Sequence, residues 1–367
     1  MRQPFRFMAT VALFMGGAVP AASAFEYRQI EGWAVSCNNA YGCTISLTPS
    51  AGGGANGSEL AAIQWHRTSA PNAPLTLSLP FPPGFFQKGD PKGQYRIVVD
   101  GVEAFSTGIA GLAEDDALGA FGISDPDTLM VLFRRMSDGH SATISYSGGL
   151  GAFSADIALT GLATSARFVD TLQSRDGHTD ALVETGLVEP PADPAVWAIS
   201  RYDQLPDSIL RNLSDKNSAC YTDEQHLQQS DAFAFKGNWG TMVLLPCGPS
   251  GAYNQPYQMY VGKDEDFHRA EFPNVSDAGI TVLDTVYNVN FDLKNLKLTS
   301  VFLGRGLGDC GLAHYWKIES QLSGNPLVLT HERAKNACDG TDVGAEHWPI
   351  SWRSEIRIKA EEGNDDD

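Results

Sequence analysis

Apolar and polar side chains alternate at period two along much of this chain. Trp33, Val35 and Cys37, then Cys43, Ile45 and Leu47, then Ile63 and Trp65 each fall on one side of such a register. Leu75, Leu77 and Leu79 repeat it, as do Tyr95, Ile97 and Val99. Successive side chains of a strand point to opposite faces, so the pattern predicts half-buried antiparallel strands. Between these runs lie "TPSAGGGANGS" and "PFPPGFFQKGDPKG", which are loops by composition. Helical spacing is scarce. Asp125-Pro126 reads as an N-cap with proline at the first helical position, ahead of "DTLMVLFRRM". A second helix is expected over "GLATSARFVDTLQ", with Leu162, Ala166, Val169 and Leu172 or Gln173 on one face, and the stretch between the two helices reads as a hairpin.

Past residue 186, "LVEPPADPAVWAIS" concentrates three prolines and predicts a linker. One short helix, "PDSILRNLSD", is expected next. Strands then return at Phe233/Phe235, "TMVLLPC", "YQMYVG", Val289/Phe291/Leu293, "LKLTSVFLG", Trp316/Ile318 and Ile356/Ile358. The expected fold class is α+β, predominantly antiparallel β, in two disulfide-stapled, mostly-β domains. The first, over 25–185, carries the helices. The second, over 205–360, is almost entirely strand. A proline-rich linker joins them over 186–204.

The two ends change the picture. Arg2 and Arg6 precede an apolar run from Phe7 to Val19, and Ala22-Ser23-Ala24 supplies small residues for cleavage, so residues 1–24 read as a secretory signal peptide. The expected mature product is a periplasmic or secreted protein, not inserted in a membrane after cleavage. The stretch 361–367 places five acidic side chains in seven positions and reads as a solvated, disordered tail. Without Arg2 and Arg6, 24 basic residues oppose 44 acidic ones, a net charge of −20 (24 − 44). Such a field repels phosphate backbones, which argues against nucleic acid as a partner.

Six cysteines follow the signal segment. An even count in an exported chain implies disulfides, although six cysteines allow fifteen connectivities. The spacing favours pairing in sequence order: Cys37–Cys43, Cys220–Cys247 and Cys310–Cys338. On the chain-entropy model each of the longer loops then stabilises by roughly 3.5 kcal/mol and the short one by about 2.4 kcal/mol. No C-x-x-C pair supports zinc. The stretch "GRGLGDCGLAHYW" contains G-x-G-x-x-G, but "AHYWKIESQL" after it alternates like a strand, whereas a dinucleotide loop must open a helix. Gly304–Gly311 therefore reads as a hairpin turn, and no motif calls for a cofactor.

Few constellations carry chemistry. His314 lies four residues past Cys310 and would share its strand face, so a free Cys310 thiolate is one alternative to a bridge. No G-x-S-x-G elbow occurs, and "THERAK" at His331-Glu332 lacks the second histidine of a zinc-protease motif. Asp264 and Asp266 in "GKDEDFH", and Asp339 and Asp342 in "CDGTDVGAE", are calcium candidates, with solvated turns as the plainer explanation. Trp316, Trp348 and Trp352 would line a ligand groove if exposed, or pack a domain end if buried.

Four stretches in order, "GWAVSCNNAYGC", "VDTLQSRDGHTDALVETG", "GDCGLAHYW" and "CDG…HWPISW", resemble the DUF1176 family of exported bacterial proteins. Residues 31–172 are also similar, more weakly, to the invasion-associated locus B family. The resemblance implies a periplasmic or secreted protein with six structural cysteines, and supplies no reaction. The expected function is a non-enzymatic binding or interaction module of the cell envelope, its partner an envelope protein or a glycan. A periplasmic hydrolase of glycan or peptide is the alternative, with Asp309, His314 and His347 as acid/base groups. An inhibitor of a foreign enzyme is a third reading.

Overall fold

In a computed structural model of the chain, the described residues are 26–49, 60–82, 93–115, 120–123, 125–149, 151–319, 325–341 and 343–354. The signal segment, Ile356/Ile358, Asp342 and the acidic tail lie outside them.

Alternation becomes burial in strand Trp33–Cys37, where Trp33, Val35 and Cys37 are buried and Ala34 and Ser36 are less so. It lies in a seven-stranded sheet running Glu26–Ile30, Trp33–Cys37, Cys43–Leu47, Ile63–Arg67, Thr76–Ser78, Ala120–Ile123 and Ala113–Asp115 in spatial order. A four-stranded sheet, Gly151–Ala158, Ser141–Gly148, Gln94–Val99 and Val102–Gly108, shares a core with it. Helix Pro126–Asp138 starts where expected, the Asp125 carboxylate accepting from Thr128 N at 2.9 Å. Its Leu129, Leu132, Phe133 and Met136 enter the core, where Phe133 meets Trp65 edge-on at 5.2 Å. Helix Leu162–Leu172 buries Leu162, Ala166 and Val169, and also Asp170, which the spacing of apolar positions does not announce. Asp170 pairs with buried Arg67 at 3.1 Å and accepts from Leu182 N and Val183 N.

The second half holds three further sheets, a two-stranded hairpin of Phe272–Ser276 and Gly279–Leu283 and two larger ones around another core. One runs Val196–Ala198, Phe233–Gly237, Gly240–Pro246, Pro256–Lys263 and Asp266–Ala270, with Val286–Tyr287 beside the fourth. The other has five strands: Val289–Asp292, Lys297–Leu303, Gly311–Ile318, Leu327–Lys335 and Ile350–Arg353. Phe233, Phe291, Met259, Leu298 and Trp316 fill the space they share. Helices Asp207–Leu213 and Glu224–Gln229 cover the other face of the first of these sheets through Ile209, Leu213 and Leu227. The α+β, β-dominant class is what the chain adopts.

Two expectations need amending. The proline-rich stretch is not wholly a connector: Val196–Ala198 pairs with Phe233–Phe235 as an edge strand, where the nearby prolines remove no ladder hydrogen bond. The strand closing the five-stranded sheet is Ile350–Arg353, within "HWPISW", for which the alternation predicts no strand.

Candidate functional site

The glycine-rich stretch connects antiparallel strands, with Leu303 opposite Gly311 and Gly304 N donating to Cys310 O at 2.9 Å. Gly311 has φ +148°, and a Cβ there would collide with the carbonyl oxygen of Phe302. The six cysteines are bridged 37–43, 220–247 and 310–338. Cys310 is therefore not a thiol.

The three proposed acid/base residues do not converge. Asp309 is fully buried and receives Arg305 Nε at 2.7 Å, Arg305 Nη2 at 2.5 Å and Gly340 N at 2.6 Å. The Arg305 guanidinium holds this carboxyl far below the usual carboxylate range, so it stays an anion with its lone pairs engaged. His314 is buried on the opposite side of its strand from the open face, with Nε2 at 3.0 Å from Asn274 Oδ1 and 3.3 Å from Glu332 Oε2. Burial pushes its pKa down against the pull of Glu332. His347 sits in the exposed turn Ala345–His347 beside Glu346. No hydrogen bond joins any two of the three among the described residues.

The tryptophan groove is likewise corrected. Trp316 and Trp348 are each 1% exposed, Trp316 donating its indole N–H to Pro273 O at 2.7 Å, and Trp352 packs against the same core. Trp316 is interior because its strand position faces the core, Trp348 is tucked in just after the turn Ala345–His347, and Trp352 is half-buried. Asp264 and Asp266 occupy an exposed hairpin end, and Asp339 is tied to Lys335 at 2.8 Å. No cluster of three metal-ligating side chains occurs among the described residues.

What the structure does assemble lies on the other face of the same five-stranded sheet. One cross-strand row reads Asn290, Thr299, Tyr315, His331 and Arg353, each directly opposite the next. Tyr315 and His331 stack face to face, 4.2 Å between centroids and 6° between planes. Asn290, Thr299, Tyr315 and His331 of this row form the floor of a cleft of about 1020 Å³, with Arg353 outside its lining, and the far wall comes from the first half of the chain through Tyr41, Leu172 and Ser174. Lys294, Lys297, Lys317 and Arg333 line it, against Glu26, Asp292 and Glu346. Basic side chains thus outnumber acidic ones here by four to three, in a chain with 26 basic and 44 acidic residues, although Lys317 is itself paired with Glu319 at 2.5 Å. Asp292 is moreover occupied by Asn295, through its backbone N at 3.0 Å and its amide at 2.6 Å. Lys297 and Arg353 have no acidic partner within 4 Å among the described residues. The field is positive: burial lowers the His331 pKa first, and Arg333, Arg353 and Lys297 all push it the same way.

The cleft wall is held by the loop that the Cys37–Cys43 bridge closes. Asn39 Oδ1 accepts from Phe291 N at 2.6 Å, and its amide donates to Val289 O at 3.0 Å and Asp231 Oδ2 at 2.6 Å. Tyr41, at φ +61°, accepts from Leu293 N through its hydroxyl at 2.8 Å. These residues therefore fix the first half against strand Val289–Asp292. Sequence reasoning passes over Tyr315, Lys297 and Arg353 and weighs His331 only as half of a zinc motif, although "LVLTHERAK" alternates Leu327, Leu329, His331 and Arg333 at period two.

A family model described as "Protein of unknown function (DUF1176)" matches residues 27–355. The chain is 25% identical over 217 residues to an uncharacterized protein, YpfG, of Escherichia coli (strain K12). That match covers 53% of this chain and 59% of the relative, so the chain spans less than two thirds of that protein's length. No solved structure matches.

Proposed function

The chain belongs to the DUF1176 family, whose description carries no activity, and from its geometry we propose that it is an exported binding module of the cell envelope, non-enzymatic, that takes an anionic group in the cleft between its two halves. The observation that carries this reading is the stacked Tyr315–His331 pair with Lys297 and Arg333 lining the same cleft and Arg353 beside His331: basic groups without an acidic partner around an aromatic floor in an acidic protein. Unpaired cations on a concave surface have their desolvation offset only when an anion arrives. The planar floor adds recognition of a flat carboxylate or of a group that stacks. Three disulfides support export, since such bridges persist in oxidising compartments. No helix among the described residues is long and apolar enough to cross a membrane.

The test is calorimetric titration of the purified protein with citrate and with inorganic phosphate at low salt. Lys297→Glu with Arg353→Glu is expected to weaken binding by at least about tenfold, an energy of roughly 1.4 kcal/mol. Equal affinity in wild type and double variant would sink the reading.

A further inference from the structure

Helices Asp207–Leu213 and Glu224–Gln229 cover only part of one face of the sheet that begins at Val196–Ala198. Beside them lies a hollow of about 760 Å³, within the roughly 300–1000 Å³ of small-molecule pockets. It shares no lining residue with the cationic cleft. Its floor is apolar: Ala234 and Val243 stand opposite one another on adjacent strands, packed with Ile199 and Leu205, all four buried. Aromatic side chains stand to either side. Trp197 comes from one edge strand and Phe267 from the other, four strand spacings or about 19 Å apart along the sheet. The hairpin turn Asn238-Trp239 adds a third ring. Two of the rings lie against glycine: a Cβ on Gly262 would come within 2.6 Å of Phe267 Cγ, and one on Gly237 within 2.7 Å of Trp239 Nε1.

The rim is polar and unengaged. Among the described residues no acceptor takes the indole N–H of Trp197 or Trp239, and neither nitrogen is sealed in the interior as those of Trp33, Trp65 and Trp348 are. No hydrogen bond engages the exposed Asn238 amide among the described residues. Asp264 and Glu265 form the neighbouring hairpin turn, held in place by Ser208 Oγ donating to Glu265 O at 3.3 Å. Their exposed carboxylates, and the exposed Lys263 ammonium, have no ion-pair partner among the described residues. The ligand classes separate on this outline. Under the floor the backbone groups are consumed by the strand ladders, so an extended peptide laid there finds no edge to pair with. An acyl chain leaves the rim's donors and acceptors unanswered. Acids and bases share the rim, so no single charge is selected. A pyranose has the matching outline, with C–H groups on its faces for aromatic rings and hydroxyls, each both donor and acceptor, around its edge.

We infer that this hollow binds a neutral oligosaccharide, its sugar rings against Trp197, Trp239 and Phe267 and its hydroxyls on the rim made by the two hairpin turns. The distance between the flanking aromatics suits several linked rings rather than one. The site is separate from the anion reading above, in its residues and in the chemistry of its ligand, and stands or falls without it.

The experiment titrates the full protein calorimetrically with the β-1,4-linked tetrasaccharides of glucose, of galactose and of N-acetylglucosamine, each alone. Adenosine, flat with polar edges, and an N-acetylated, C-amidated pentapeptide pool are the competing probes. At least one tetrasaccharide is expected to bind, and Trp239→Ala to weaken it by at least about tenfold. Asp264→Asn with Glu265→Gln is expected to do the same. Both of these side chains are exposed and unpaired, and asparagine tolerates the φ of +56° at position 264, so this variant keeps the fold should Trp239→Ala lose it. Lys297→Glu with Arg353→Glu is expected to leave sugar binding unchanged. Sugar binding that survives both hollow variants, or that falls with the lysine and arginine pair, would overturn the inference. Adenosine or peptide bound in place of every sugar would overturn it too, and silence from all three sugars would end it, while the citrate titration judges the anion reading by itself.

Discussion

At the scale of single residues, burial and charge give opposite instructions to two carboxylates. Asp309 is held ionised by Arg305, whereas burial raises Asp231 to about 7 although Asn39 donates to it. A carboxyl whose folded pKa lies above its unfolded value binds protons more tightly when folded. Stability then falls as pH rises between about 4 and about 7 and levels off above, where both states are ionised. Asp231→Asn is expected to flatten that slope in urea melts taken across the interval, and an unchanged slope would locate the pH dependence elsewhere. His331 works in the other direction on binding. Its pKa is lowered in the free protein by burial and by Arg333, Arg353 and Lys297, with stacked Tyr315 on one side and Glu346 lining the same cleft. A bound anion favours the imidazolium, so anion affinity is expected to rise as pH falls below neutrality, and His331→Asn to abolish that dependence in titrations at two pH values.

At the scale of elements, the hairpin turn offers a sharper comparison. Gly308 has φ +68° and its nearest foreign atom, Leu303 Cδ2, is 3.9 Å from a Cβ position, so Gly308→Ala is expected to cost about 1 kcal/mol of backbone strain. Gly311→Ala adds a collision with Phe302 O and should cost several-fold more, read as the difference between two thermal melts. That this stretch is a turn was legible from the strand-like alternation after it. Strands such as Trp33–Cys37 were legible because one face meets a core and the other does not. Leu327–Lys335 was hard to see because Thr330 is an extra residue within it: Leu329 stands opposite Trp316 and His331 opposite Tyr315, so the bulge turns His331 away from the face of Leu327 and Leu329. Asp170 and Arg67 were invisible for another reason: they hold core-facing positions, Arg67 in register with Ile63 and Trp65 and Asp170 one turn past Ala166, but carry charges that read as solvent-facing. The candidate site needed tertiary structure altogether, since its row draws one residue from each of five strands.

At the scale of the molecule, the joint between the halves runs through very few side chains. Asn39 alone contacts Asp231, Val289 and Phe291. Asn39→Ala removes these bonds and leaves buried groups without partners, at about 1–3 kcal/mol for each. Calorimetry of that variant is expected to show a lower melting temperature and a split of one transition into two, and a single unshifted transition would show that the joint lies elsewhere.

Strand Val289–Asp292 stands at the rim of its sheet, and the backbone groups on its outward side are taken up by Asn39 and Tyr41. A rim left open is a template on which another chain can add a strand. The small stapled loop therefore acts as a guard against self-association as much as a wall of the cleft. Solutions in which Cys37–Cys43 has been reduced are expected to thicken into strand-to-strand aggregates first, with the fold otherwise intact.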